Sequence, residues 1–213
     1  MYPNFLIGDF IICLKYLNKD INNLLGKAVV FKAPESVGNY YNTFWLKRII
    51  ASSNDFIEIN NNAIRINNYF FLYKKLNFSL KFLDYFKENS WLIFNSFIIR
   101  EKNFFNNYYI IINKNKEINN FSKNWSLFLK FDQEFPGLIF NDLNCIVKRN
   151  NFFVLGDNRD SSNDSRFWGG LKKDNLISSN FFTLFSFDFS NILYKFFFFY
   201  IPYIRNYSGK ICF

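Results

Sequence analysis

The sequence predicts a mostly β chain that carries a β-rich insertion, and three observations lead there. Apolar runs of about four to eight residues, rich in Val, Ile and Phe, recur between turn residues, as strands do. No segment sustains the 3.6-residue apolar period of a long helix, and neither heptads nor internal repeats occur. With 213 residues, half of them hydrophobic and 20% charged, the chain suffices for one or two domains with a buried core.

Taken in order, Phe5–Tyr16 reads as a turn at Gly8-Asp9 followed by a strand, and Asn18–Leu25 as a polar connection. Ala28–Lys32 (AVVFK) is a short strand closed by Pro34, and Phe44–Ile50 (FWLKRII) is the next. Phe56–Ile59 and Ala63–Ile66 form a hairpin around Asn60-Asn61-Asn62, with Asp55 in the turn that leads into it. Residues 67–141 are assigned to an inserted subdomain of strands and loops. Within it Trp91–Phe94 and Tyr108–Ile112 are apolar clusters, Leu76–Phe86 is a candidate helix and Pro136-Gly137 marks a turn. Asn151–Leu155 returns to a strand, and further strands follow around Leu176–Phe189. The core is therefore expected to be discontinuous, built from residues 1–66 and 142–213.

Composition narrows the chemistry. There are 26 Lys and Arg against 17 Asp and Glu, a net charge of +9, but abundant Phe, Asn, Ile and Lys fit a drift toward AT-rich codons. A basic nucleic-acid-binding protein would rest on that charge alone. No basic cluster interleaved with readout residues appears, so no nucleic-acid partner is expected. A basic surface equally suits anionic lipid headgroups. The chain has no histidine, and Cys13, Cys145 and Cys212 are far apart, so neither a metal nor a cofactor site is predicted. Without histidine, Ser-His-Asp and Cys-His mechanisms are excluded within the chain, and acid–base work falls to Lys, Asp, Glu or Tyr. No apolar run reaches the roughly 18 residues of a membrane-spanning helix. Phe181–Ile204, the nearest approach, is broken by Asp188, Lys195 and Pro202. Met1-Tyr2-Pro3 opens in what reads as folded domain, without the charged lead and apolar segment of a signal peptide.

Phe152–Gly170 (FFVLGDNRDSSNDSRFWGG) differs from the rest of the chain. Three aspartates, two arginines and three serines fall between Gly156 and Arg166, directly after an apolar strand. Such density suggests a polar network that orients something. Upstream, Lys47 sits among Trp45, Leu46, Ile49 and Ile50, a setting that disfavours its charged form. To act as a general base near neutrality its pKa must fall by about two to three pH units, or about 3–4 kcal/mol. Composition alone allows a strand-edge lysine whose ammonium reaches water; the adjacent Arg48 and the polar loop favour the base.

Three segments together resemble the bacterial signal peptidase I family of membrane-bound serine endopeptidases. GDNRDSSNDSRFWG is close to that family's GDNRDNSxDSRYWG. Leu46–Asp55 (LKRIIASSND) is similar to KRxxGxPGD, and Met1–Asp9 (MYPNFLIGD) to SMxPTLxxGD without its first residue. Gly26–Phe31 falls where the family has RGDxVVF. The likeness covers roughly residues 1–59 and 150–190. It implies the signal peptidase-type catalytic β-fold and removal of signal peptides from exported preproteins by a Ser-Lys dyad, which needs no histidine. It makes Lys47 the general base and Ser162 the hydroxyl that orients it. It pairs Asp164 with Arg166 and Asp157 with Arg48. It puts substrate pockets for small residues on Phe5, Ile11, Val30, Trp45 and Leu46, although Ile11 and Val30 suit an ordinary core equally well. It also implies the outer, periplasmic face of the cell membrane. Phe181–Tyr203, with Phe196–Tyr200 as its most exposed part, either lies against the bilayer surface or forms a buried C-terminal strand.

The family nucleophile is the serine directly before the methionine that aligns with Met1. It is therefore expected immediately upstream of these residues, together with the membrane anchors. The alternative is a catalytically inactive remnant that acts at most as a peptide-binding module. Asn4 for threonine, Lys27 for aspartate and Ser53-Asn54 for Pro-Gly are further departures, which bear on turns and substrate fit more than on the dyad.

Overall fold

A computed structural model describes residues 1, 4–5, 8–15, 24–60, 63–75, 96–102, 107–113, 135–141, 144–196, 199–205 and 211–212. The expected connection over residues 18–23, the candidate helix Leu76–Phe86 and the cluster Trp91–Phe94 lie outside these residues. The described strands are β1 (Asp9–Leu14), β2 (Ala28–Lys32), β3 (Phe44–Ala51), β4 (Phe56–Asn60), β5 (Ala63–Ile66), β6 (Tyr69–Phe70) and β7 (Leu72–Lys75). They continue with β8 (Ser96–Lys102), β9 (Asn107–Asn113), β10 (Leu138–Asn141), β11 (Asn144–Val147), β12 (Asn151–Leu155) and β13 (Leu171–Lys172). The last are β14 (Leu176–Ser178), β15 (Asn180–Phe196), β16 (Phe199–Arg205) and β17 (Ile211–Cys212). One α-helical turn, α1 (Ser165–Trp168), and short 3-10 turns at Glu35–Tyr40, Arg159–Ser161 and Lys173–Asn175 complete the described elements. The chain is mostly β.

The sheet that matters for function runs β13-β12-β3-β2-β14, with β3 at its centre. Val29 lies opposite Lys47, Val30 opposite Leu46 and Phe31 opposite Trp45. On the other side Leu155 faces Arg48 and Val154 faces Ile49. Successive side chains on a strand leave opposite faces, so β3 divides its residues between two cores. Trp45 and Ile49 pack with Val29, Phe31, Phe152, Val154, Trp168 and Leu171. On the opposite face Leu46 packs at one end with Ala28, Val30, Phe181, Met1, Phe5, Ile11 and Cys13. At the other end Ile50, Ala51, Phe153 and Leu155 join the core beneath a second sheet.

That second sheet runs β10-β11-β4-β5-β6. Its core takes Ile57, Ile64, Ile66, Cys145 and Val147, and also Phe71, Phe135 and Leu138 from within residues 67–141. Cys145 is fully buried there, which pushes its thiol pKa up to about 12. Strands β7-β8-β9 form a separate three-stranded sheet, and β1-β15-β16, with β17 on β15, form another. Asn42, Asn54, Asn67 and Asn150 all adopt positive φ, between 54° and 68°. Asparagine here fills left-handed turn positions that glycine often occupies.

Candidate active site

The polar loop begins where β12 ends. Leu155 is the last residue of β12 to pair with β3, so Gly156 leaves the sheet beside Lys47. A side chain at Gly156 would overlap the Ser162 hydroxyl, with its Cβ 2.6 Å from Ser162 Cβ and 3.4 Å from Lys47 Nζ. That close approach lets the loop fold back over the strand. Lys47 Nζ donates to Ser162 Oγ at 2.9 Å, joining residues 115 positions apart. Its ammonium lies 5.7 Å from the Trp45 ring centroid. Burial pushes the Lys47 pKa below its usual 10.5, and Arg166 adds to this; Asp164 and Asp157 pull the other way.

Asp164 is fully buried and collects the loop's donors. Arg166 meets it in a fork, Nε to Oδ1 at 2.8 Å and Nη2 to Oδ2 at 2.9 Å. The Gly156 N–H donates at 3.0 Å, and the Ser162 hydroxyl also donates to this carboxylate. Burial by itself would raise the Asp164 pKa, but the Arg166 charge and these hydrogen bonds outweigh it and hold the pKa below 3.8. An ionised carboxylate accepts only. The Ser162 proton therefore faces Asp164, and its lone pairs face Lys47.

A second buried pair lies under the neighbouring strand position. Arg48 Nε and Nη2 reach the two Asp157 oxygens at 2.9 and 2.8 Å, and Nη1 donates to the Gly26 carbonyl at 2.7 Å. Asn4 Nδ2 donates to Asp157 Oδ2 at 2.6 Å, which ties the N-terminal segment to this pair. Met1 packs nearby on the cluster of Ala28, Val30 and Phe181.

Of the five pocket candidates, Phe5, Ile11, Val30 and Leu46 come together in one cluster with Phe181, whose ring centroid is 5.5 Å from that of Phe5. Trp45 does not join them. It leaves β3 on the opposite face and packs against Phe31 and Trp168. Sequence reasoning passed over three contributors. Asn4 stands in the sequence only as a departure from threonine. Arg159, 1% exposed, donates from Nε to the Gly156 carbonyl, and Ser165 Oγ accepts from the Val154 N–H. Their signal was position alone: Arg159 and Ser165 stand in the dense loop, and Asn4 stands in the first segment.

The arrangement favours the neutral, proton-accepting form of a half-buried amine beside a fixed hydroxyl. Among the described residues, no group of His, Cys, Asp and Glu could hold a metal ion, and no helix is long and apolar enough to cross a membrane.

The profile of the family described as "Signal peptidase, peptidase S26" matches residues 1–185. Signal peptidase I of Buchnera aphidicola subsp. Schizaphis graminum is 29% identical over 212 residues, covering 83% of this chain and 62% of its own. Signal peptidase I of Aquifex aeolicus is 27% identical over 191 residues, covering 83% of this chain and 68% of its own. That of Buchnera aphidicola subsp. Baizongia pistaciae is 31% identical over 211 residues, covering 83% and 64%. The chain thus spans between 62% and 68% of the length of these curated relatives.

Proposed function

Because the chain belongs to the signal peptidase (peptidase S26) family, we propose that it forms the catalytic part of a signal peptidase I, an endopeptidase that removes signal peptides from exported preproteins. The observation that carries this reading is the 2.9 Å contact from half-buried Lys47 to Ser162, with the Ser162 proton engaged by Asp164.

In this mechanism a serine directly before Met1 attacks the scissile carbonyl, and Lys47 accepts its proton. Burial favours the neutral amine that the step requires. Ser162 has no proton to offer the amine, so Lys47 turns an N–H to Ser162 and keeps its lone pair for the nucleophile. Met1 packs on the same cluster of Ala28, Val30 and Phe181 as Leu46, the strand neighbour of Lys47, which supports a nucleophile at that place. Arg48, Asp157, Asp164 and Arg166 act as positioning residues, and backbone donors near the serine stabilise the oxyanion. Phe5, Ile11, Val30 and Leu46 supply the apolar pocket for small side chains before the cleaved bond. Trp45 instead flanks Lys47 on the face of the sheet opposite Leu46.

The membrane surface is the second proposed partner, at the outer face of the cell membrane. Its support is an exposed apolar ribbon: Phe10, Ile12 and Leu14 of β1, with Phe182 and Leu184 of the paired β15, are 40–61% exposed. This ribbon lies nearer the start of Phe181–Tyr203 than Phe196–Tyr200, whose side chains are outside the described ones; Phe181 itself is buried. The insertion is proposed as the part built on β7-β8-β9, because Phe71 and Phe135 already belong to the core.

Preprotein cleavage by the full-length protein tests the dyad. Lys47→Ala is expected to lower kcat by about 10³-fold or more, with the fold intact by circular dichroism. Retained cleavage would end the proposal.

A further inference from the structure

An open cleft of about 490 Å³ lies beside the lysine–serine pair, with Ser36, Val37, Ser161, Ser162, Asn163 and Phe167 along its walls. Its volume falls within the roughly 300–1,000 Å³ typical of ligand sites. We propose that this cleft is the subsite for the first residues on the C-terminal side of the cleaved bond, a site that rests on the endopeptidase reading above.

Position comes first. Ser162 belongs both to the cleft wall and to the Lys47 contact, so a chain whose scissile carbonyl lies at Lys47 has the cleft next to it. The apolar pocket of Phe5, Val30 and Leu46 is on the opposite face of β2 and β3 from Trp45 and Trp168. A peptide with small residues in that pocket passes Lys47 and continues on the cleft side.

Construction is the second point. One wall is the 3-10 turn Glu35–Tyr40, and the other is the polar loop with α1. They are joined by Ser36 Oγ, which donates to the Trp168 carbonyl at 3.0 Å. Segments 132 positions apart in sequence are therefore braced across the cleft floor.

The third point is chemistry. The lining offers the hydroxyls of Ser36 and Ser161 and the amide of Asn163, with Val37 and Phe167 as apolar surface, and no charged side chain among them. Phe167 is 44% exposed, an aromatic face left open at the rim. This suits short polar or small side chains and gives a charged one no partner.

Titration calorimetry with two synthetic peptides tests the site in the full-length protein. One peptide ends in a carboxamide at an Ala-x-Ala cleavage point. The other continues through a reduced, uncleavable bond into Ala-Ser-Thr-Asn. The longer peptide is expected to bind about tenfold tighter. Phe167→Ala, at an exposed position, removes that gain and leaves the shorter peptide's Kd unchanged. Asn163→Trp, which fills the cleft from its surface, does the same. Equal affinity of the two peptides, or Phe167→Ala weakening both alike, overturns the subsite. Failure of both peptides to bind overturns the endopeptidase reading with it.

Discussion

Gly156 shows how much one missing side chain supports. Its Cβ position is filled by Ser162 and borders Lys47, so Gly156→Ala must push the serine off the amine. The expected result is a kcat loss of about 10²-fold or more, with KM nearly unchanged and with the fold retained; wild-type kcat in that variant would refute the contact's role. Asp164 makes a pH statement of a different kind. Its folded pKa lies below the ordinary 3.8, so between the two values the unfolded chain binds more protons than the folded one. Its stabilisation is full above 3.8 and is lost as pH falls through the folded pKa. Asp164→Asn should flatten the acid limb of urea midpoint against pH below 3.8, and an unchanged limb would assign acid unfolding to other groups. The candidate residues were only partly legible. Lys47 stood out by its apolar neighbours, but its meeting with Ser162 comes from strand register and a loop return that no local spacing encodes. Trp45 is the opposite case: strict alternation along β3 puts it with Lys47 and away from Leu46, and the period of two was there to be read.

Elements were easier to read than contacts. Ala28–Lys32 and Asn151–Leu155 appear with the limits that their apolar runs and flanking turn residues suggest, and the hairpin β4–β5 lies where Asn60–Asn62 predicts it. α1 escaped detection because four residues carry no period; its Asp164 cap, which accepts the Arg166 N–H, was hidden among other loop charges. β15 runs past Phe189 to Phe196 because pairing with β16 carries it through Asp188 and Asn191, with register shifts on the way. Tertiary pairing there overrides the local pattern. Phe153 of β12 is fully buried in the core shared with the second sheet, whereas Phe44 of β3 is 69% exposed. Phe153→Ala is expected to cost about 3–5 kcal/mol and Phe44→Ala less than about 0.5 kcal/mol. Urea midpoints at unchanged m value check both, and similar shifts for the two would contradict this assignment of the core.

At the scale of the whole molecule, the apolar ribbon of β1 and β15 bears on where the protein sits. Leu14→Glu combined with Leu184→Glu, at positions 61% and 56% exposed, should reduce flotation with anionic vesicles severalfold while leaving circular dichroism unchanged. Undiminished flotation would remove the ribbon from the membrane contact. The burial of Cys145 carries a consequence of another sort. On the outer face of a membrane, free thiols meet an oxidising environment, and only the thiolate reacts. With its pKa near 12, Cys145 is a thiolate in on the order of one molecule in 10⁴–10⁵ near neutral pH. Once β11 has paired with β4 and β10, that thiol is withdrawn from exchange. At the outer-face location proposed above, the fold would act as its own redox protection: the exposed interval would be the time between translocation and strand pairing, and slow folding would be recorded as wrongly paired cysteines.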